Sequence, residues 1–341
     1  MEQIQDDIEQ LITLPENGSD PIYLQTCQTA EQLVLSHESR IIVFACDQAY
    51  AMPLATSLRS LLENSSRTTD LEIVIITSEF SEYNRLKLLR SLPRTLPRIH
   101  WLQMSVAPFE HLSTRQYISK ITFARLLIPE LLPIEVSRVL YLDADILIAN
   151  DLTALWEYDL GNAILGAVTD SEASANHRRL QRGVSADYQG MVEPGAASPT
   201  YFNAGVLLIN LKRWREEQVS QRALRFIAEY PDTALADQDA LNVVCAGQWA
   251  VLGDRWNCQH HDPRGYLKTP TDRRPAIIHY AGKWKPWNPA SLNPDAKFYD
   301  DFRSRTQFAR TRAEIVFEGM YRTSKQVTRF AKQYGRKLLL S

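Results

Sequence analysis

The chain has 341 residues, 45% hydrophobic and 23% charged, the balance of a globular protein with room for one large domain and appendages. A formal net charge of −2 gives no global pull toward nucleic acid or an anionic surface, so neither class of partner is implied by composition.

Residues 1–38 are polar without a sustained period and read as an N-terminal extension. Regular alternation begins at Arg40. The run IIVFA at 41–45 is a short buried strand, and Pro53 opens a helix with Leu54, Leu58, Leu61 and Leu62 on one face. LEIVIIT at 71–77 is a second strand, Ser81 is placed to cap the helix after it, and IHWL at 99–102 is a third strand. Residues 121–132 read as helix up to Pro133. The segment RVLYLDAD at 138–145 is a buried strand running into two carboxylates. Strands continue at 163–169 and 205–211, with no clear periodic element between 170 and 200. Helices are expected over 212–229 and 237–245, and a last short strand at 276–279. Apolar strands alternating with helices predict a mostly parallel sheet covered on both faces.

The four cysteines, Cys27, Cys46, Cys245 and Cys258, form neither a C-x-x-C pair nor a zinc spacing, which fits free thiols in a reducing compartment. The opening MEQIQDDIEQ lacks the basic start and apolar run of a secretory leader. No apolar stretch approaches the roughly 18 residues of a membrane span, and the expected location is cytoplasmic.

Asp143 and Asp145 stand two apart at a strand end, so in extended backbone both reach one point. Hard oxygen donors there suit Mn²⁺ or Mg²⁺ carrying a phosphorylated ligand. In open α/β sheets ligands gather at the carboxyl ends of strands, and Asp47, Asp143 and His279 each fall at or just past such an end. The chain has 13 glycines but no G-x-G-x-x-G after its first strand and no G-x-x-x-x-G-K-[ST]. A bound diphosphate would therefore need a metal and side-chain cations. HYAGKWKPW at 279–287 offers an imidazole, a glycine permitting close approach and Lys285. Asn203 precedes an apolar run, and Asp237-Gln238-Asp239 opens a helix, where simple capping would also account for the carboxylates.

Six segments, FACDQAY, FARLLIPELL, VLYLDADILI, FNAGVLLINLKRW, ADQDALN and HYAGKWKPW, occur in this order. In them the chain resembles glycosyltransferase family 8, the retaining group that includes bacterial lipopolysaccharide galactosyl- and glucosyltransferases, glycogenin and galactinol synthases. The resemblance implies a GT-A fold: an α/β, mostly parallel, Rossmann-like nucleotide-binding sheet flanked by helices. The domain reading is then a catalytic domain at 39–290 between the extension and a basic helical tail at 291–341. By resemblance, Asp143, Asp145 and His279 hold Mn²⁺ with the diphosphate of a UDP-hexose, and Ala144 lies between the carboxylates in the donor site. Ala45, Asp47 and Tyr50 contact uridine, Tyr50 stacking on the base. Arg125, Asn203 and Asp237 meet sugar or phosphate, Gln238 lies beside the anomeric carbon, and Gly282 and Lys285 bind diphosphate. Ala49 stands where bacterial members often carry Asn.

The implied reaction is transfer of glucose or galactose, with retention, to a glycan or lipid-linked acceptor, as in surface polysaccharide or lipopolysaccharide synthesis. Gln238 is an amide and a poor nucleophile, which favours front-face attack by the acceptor hydroxyl. A sugar nucleotidyltransferase would need a glycine-rich loop after the first strand, and CDQAYAMP is not one. A non-catalytic UDP-sugar-binding relative should have lost a metal ligand, yet all three are present. Finally, residues 301–341 hold ten Lys/Arg against three Asp/Glu. At 100° per residue Arg322, Lys325, Arg329, Lys332 and Arg336 oppose Met320, Val327, Ala331, Tyr334 and Leu338. This pattern predicts peripheral contact of 313–338 with an anionic membrane, the alternative being a helix packed on the domain.

Overall fold

The computed structural model describes residues 33–36, 39–109, 119–183, 201–259, 274–283, 285–288, 296–317 and 320. The strands are β1 (Arg40–Ala45), β2 (Leu71–Thr77), β3 (Arg98–Gln103), β4 (Arg138–Leu142), β5 (Ile146–Ile148), β6 (Leu165–Thr169), β7 (Phe202–Asn210), β8 (Trp249–Val251) and β9 (Ile277–His279). Among the described residues they form a seven-stranded sheet in the order β3-β2-β1-β4-β7-β6-β8 and a separate ribbon of β5 with β9. β1 pairs in parallel with β2 and β4, β2 with β3, and β6 with β8. β7 is antiparallel to both its neighbours.

The helices are α1 (Ala51–Asn64), α2 (Glu82–Leu89), α3 (Ile128–Leu131), α4 (Thr153–Trp156), α5 (Ala173–Gly183), α6 (Leu211–Glu216), α7 (Val219–Glu229), α8 (Ala236–Val244) and α9 (Ala296–Arg303). Every residue of β2 is buried, as its unbroken apolar run requires of a strand covered on both faces. One cluster packs α7 and α8 on one face, around Phe123, Tyr141, Trp214 and Phe226. The other packs α1 on the opposite face, around Leu54, Leu58, Phe44 and Trp101.

Three expectations are corrected. The span 121–132 is a 3-10 helix, Lys120–Leu127, followed by the short α3. There Arg125 Nε donates to the Thr122 carbonyl at 3.2 Å, and Pro129 opens the new helix. The single helix expected over 212–229 is two, α6 and α7, broken at Gln218, whose φ is +50°. The break turns Val219, Ala223, Phe226 and Ile227 into the core. The region from 170, read as lacking a periodic element, contains α5. Past residue 290 the packing continues, because α9 buries Tyr299 and Phe302 in a third cluster with Leu147, Ile278 and Tyr280. The basic face beginning at Arg322 lies outside the described residues.

Candidate active site

β4 delivers the carboxylates and three neighbours fix them. Asp143 continues the ladder, its N–H donating to the Gly205 carbonyl at 2.8 Å. The chain then turns into β5, and Ser57 Oγ of α1 sits 2.9 Å from the Ala144 carbonyl and 2.5 Å from that of Ile146. Ala144 is itself buried against α1, so the loop between the two aspartates is packed rather than free. Asp145 accepts on its carbonyl the N–H of Tyr280, just past β9, at 3.0 Å.

Because β9 pairs with β5 in the register Ile146↔His279, the imidazole lands beside both carboxylates. Its Nε2 is 3.8 Å from Asp143 Oδ2 and 3.4 Å from Asp145 Oδ1. One ligand atom from each of the three residues lies within 4.8 Å of the others, a spacing one divalent ion can bridge. The ring fits only because position 205 has no side chain. A Cβ on Gly205 would stand 2.3 Å from His279 Cε1 and 2.8 Å from Asp143 Oδ2. Burial pushes the Asp145 carboxyl up, but Lys285 and His279 outweigh it and hold it below the ordinary carboxylate range. Lys285 Nζ donates to Asp145 Oδ2 and, at 2.8 Å, to the Tyr280 carbonyl. Gly282 makes the intervening turn with φ +75°.

On the far side Arg125 is buried and fully engaged. It donates to Asp143 Oδ1 at 2.8 Å and to the Ala204 carbonyl at 2.7 Å, its Nε forms an ion pair with Asp237 Oδ2 at 2.8 Å, and its guanidinium lies 4.8 Å from the Tyr141 ring centroid. Burial would lower its pKa, but Asp143 and Asp237 raise it, so the positive charge is permanent. Burial lifts the Asp237 carboxyl despite Arg125. Helix α8 starts with Ala236 at φ +31°, a left-handed position that a non-glycine residue occupies at a cost. The next two residues, Asp237 and Gln238, line the cleft. Gln238 is held at both ends, accepting from Ala204 N–H at 2.9 Å and donating to Tyr201 Oη at 3.3 Å.

At the end of β1, Asp47 Oδ1 accepts from Ala49 N–H at 2.9 Å and Oδ2 accepts from Ser119 Oγ at 2.5 Å. Tyr50 meets Trp287 edge-on, with ring centroids 6.0 Å apart. Burial and the neighbouring Asp145 raise its hydroxyl, so it stays protonated. All thirteen expected site residues, Ala45 and Asn203 included, line one cleft of about 780 Å³.

Several residues of this site escaped the sequence reading. Asn257 Oδ1 lies 2.9 Å from His279 Nδ1, Asn203 accepts from Asn257 at 2.9 Å, and Asp170 accepts from Asn203 at 3.0 Å. Asp239, wholly buried, receives Arg179 of α5 as a two-pronged fork at 2.7 and 2.9 Å. Asn203 and Asp239 stand in segments that the sequence singles out, and Gly205 gave a further signal as a glycine inside an apolar strand. The others are polar residues whose partners depend on tertiary structure.

The chain is similar to known proteins over most of its length. The family model for Glycosyl transferase family 8 matches residues 41–290. General stress protein A of Bacillus subtilis (strain 168) is 30% identical over 282 residues, 78% of this chain and 94% of that protein. The lipopolysaccharide 1,2-glucosyltransferase of Escherichia coli (strain K12) is 25% identical over 267 residues, covering 76% of this chain and 75% of its own. The crystal structure of galactosyltransferase LgtC with donor and acceptor sugar analogs matches with a TM-score of 0.63 at 29% identity, covering 78% of this chain and 96% of LgtC. A mostly parallel GT-A sheet, six ordered segments and a match over 41–290 lead to one conclusion: this chain is a glycosyltransferase of family 8.

Proposed function

We propose that the cleft binds a UDP-hexose with Mn²⁺ and transfers glucose or galactose, with retention, to a glycan or lipid-linked acceptor of surface polysaccharide synthesis. The observation that carries the proposal is the convergence of Asp143, Asp145 and His279 within 4.8 Å, beside Lys285. The donor set fits the ion: two carboxylates and an imidazole are ligands that Mn²⁺ accepts. Asp143, Asp145 and Asp237 face Arg125 and Lys285, so a divalent ion would offset the remaining acidic charge where a diphosphate must sit. When bound, the ion supplies Lewis acidity to the departing diphosphate.

The protein's own groups have distinct tasks. Lys285 exchanges Asp145 for a phosphate oxygen and neutralises charge as UDP leaves. Asp47, the Ala45 backbone and Tyr50 hold the nucleoside, with Gly282 letting the loop approach the diphosphate. Arg125 and Asp237 fix the sugar side, together with Asn203. Gln238, anchored by Ala204 N–H and Tyr201, is a positioned amide rather than a nucleophile. The acceptor hydroxyl therefore attacks from the face the diphosphate leaves, and a UDP phosphate oxygen takes its proton. The test is UDP release from UDP-glucose and UDP-galactose with Mn²⁺ or with EDTA. Release that requires the ion supports the reading, and tight UDP-sugar binding without turnover would make the chain a non-catalytic binder.

We further infer cytoplasmic residence and peripheral contact with an anionic membrane through 313–338. Among the described residues no helix is long and apolar enough to cross a bilayer. Ile315, Val316, Phe317 and Met320 are 55%, 62%, 68% and 69% exposed, an apolar run leading into the basic sequence that follows. Full-length protein that ignores phosphatidylserine vesicles at low salt would end this part of the proposal.

A further inference from the structure

Four buried side chains form a chain of hydrogen bonds behind the proposed metal site: His279, Asn257, Asn203 and Asp170, 4%, 1%, 6% and 9% exposed. Each link is 2.9–3.0 Å long. An amide side chain has a donor end and an acceptor end, so such a chain has a direction, and something must set it. Two fixed groups do so. The backbone N–H of Gly205 can only donate, and it points at Asn203 at 3.0 Å, so that atom of Asn203 is its oxygen. The other end of Asn203 meets the Asp170 carboxylate, which can only accept, so that end is the nitrogen.

The rest follows by exclusion. Asn257 faces the Asn203 oxygen, so it presents its NH₂ there and its oxygen to His279. An oxygen that can only accept requires a proton on His279 Nδ1. In a neutral imidazole one nitrogen carries hydrogen, and Nε2 is left with a bare lone pair aimed at Asp143 and Asp145. The pull of Asp145 at 3.4 Å would by itself draw the proton to Nε2, and the buried relay opposes it. Asp170 is itself held by Glu172 N–H at 2.8 Å, just before α5, and by Asn176 Nδ2 in the first turn of α5 at 3.1 Å.

We propose that Asn257, Asn203 and Asp170 are positioning residues that lock His279 in its Nδ1–H form before any metal arrives, with the direction of the relay set by the Gly205 backbone. The proposal rests on the reading of His279 as a metal ligand. Its consequence is that the neutral ring need not move a proton from one nitrogen to the other before it binds a divalent ion.

The test is long-range ¹⁵N NMR of the metal-free wild-type protein in alkaline buffer, with the His279 resonances assigned through a His279→Gln variant. The expected result is a protonated Nδ1 and an unprotonated Nε2. Protonation at Nε2 overturns the proposal, whether or not the protein binds metal. Two variants then separate tautomer control from mere packing. Asn257→Leu removes the acceptor and is expected to shift the proton toward Nε2 and weaken Mn²⁺ binding about 10–100-fold. Asn257→Asp keeps an acceptor for Nδ1–H and is expected to keep the wild-type tautomer. Equal Mn²⁺ affinity in the wild type and Asn257→Leu overturns the proposal. A His279 Nε2 resonance that does not move on adding Mg²⁺ instead refutes the metal-ligand reading and leaves the tautomer result standing.

Discussion

Two carboxylate centres lie within a few residues of the same cleft and are built on opposite plans. Asp239 is saturated. Its oxygens receive Arg179 twice, Tyr201 Oη at 2.6 Å, Thr233 Oγ1 at 2.5 Å and Leu235 N–H at 3.0 Å. Burial would raise its pKa, but Arg179 and the hydroxyls bring it below the ordinary range. Asp143 and Asp145 are satisfied on one side only, by Arg125 and Tyr141 and by Lys285, while Asp143 Oδ2 and Asp145 Oδ1 face the same imidazole nitrogen. Five donors on one carboxylate leave no lone pair for a ligand, whereas two carboxylate edges turned toward one nitrogen leave room for a cation. Burial of acid groups does not identify a site; the direction of their remaining lone pairs does.

The comparison breaks most visibly if each centre is damaged in turn. Asp239→Leu strands the Arg179 fork and the Tyr201 hydroxyl and should cost about 3 kcal/mol in urea unfolding. A cost under about 1 kcal/mol would mean the saturated centre is not an anchor. Asp145→Asn should lower UDP-sugar turnover about 10²–10³-fold while changing urea stability far less, because Lys285 can turn to water in the cleft. Turnover near wild type at limiting Mn²⁺ would remove Asp145 from the metal site. Gly205→Ala sharpens the contrast further. A strand methyl cannot share space with the His279 ring, so the expected result is lost Mn²⁺ binding with a stability cost of about 1–3 kcal/mol. Unchanged Mn²⁺ affinity would show that the ring has another place to go.

The smallest effect lies outside both centres. Asp151 accepts from Ser66 and Thr153 N–H, both at 2.7 Å. Partial burial would raise its pKa, yet the bonds from Thr153 and Ser66 prevail and lower it from 3.8 to about 2. A depressed carboxylate stabilises the fold above its unfolded pKa and loses that contribution as pH falls through the folded value. Asp151→Ala should therefore cost about 1 kcal/mol at neutral pH. Its Tm deficit should shrink as the pH falls from about 4 toward 2. A deficit that is constant over this range would mean the charge contributes nothing.

What the sequence disclosed followed from how strongly each element declares itself locally. LEIVIIT could only be a doubly buried strand, and it is β2 to the residue. The strand ending in Asp143 was equally plain, and with it the reach of Asp145 to the same point. Helix α5 was invisible because the residues it buries are Ala173, Asn176 and Leu180, a helical spacing carried by one large apolar side chain. The split of α6 from α7 depends on a left-handed Gln218, which no propensity suggests. Asp239 could be read as a helix cap until Arg179, 60 positions away, was seen to close on it. Asn257 lies in a short irregular stretch after a 3-10 turn, and its role exists only once β9 brings His279 beside it.

The ribbon of β5 and β9 has a consequence for how the protein is made. It joins the carboxylates to a histidine that the ribosome adds much later, and the Asp145–Lys285 pair spans 140 positions. On the proposed reading, a nascent chain presents two acidic ligands long before the third, so the complete ion site forms only after β9 has joined β5. The sheet must assemble on hydrophobic burial alone, with β5 waiting unpaired until the last short strand arrives. On the proposed reading of the site, metal capture is then a property of the finished molecule, and an ion shortage is expected to yield folded, idle enzyme instead of misfolded chains.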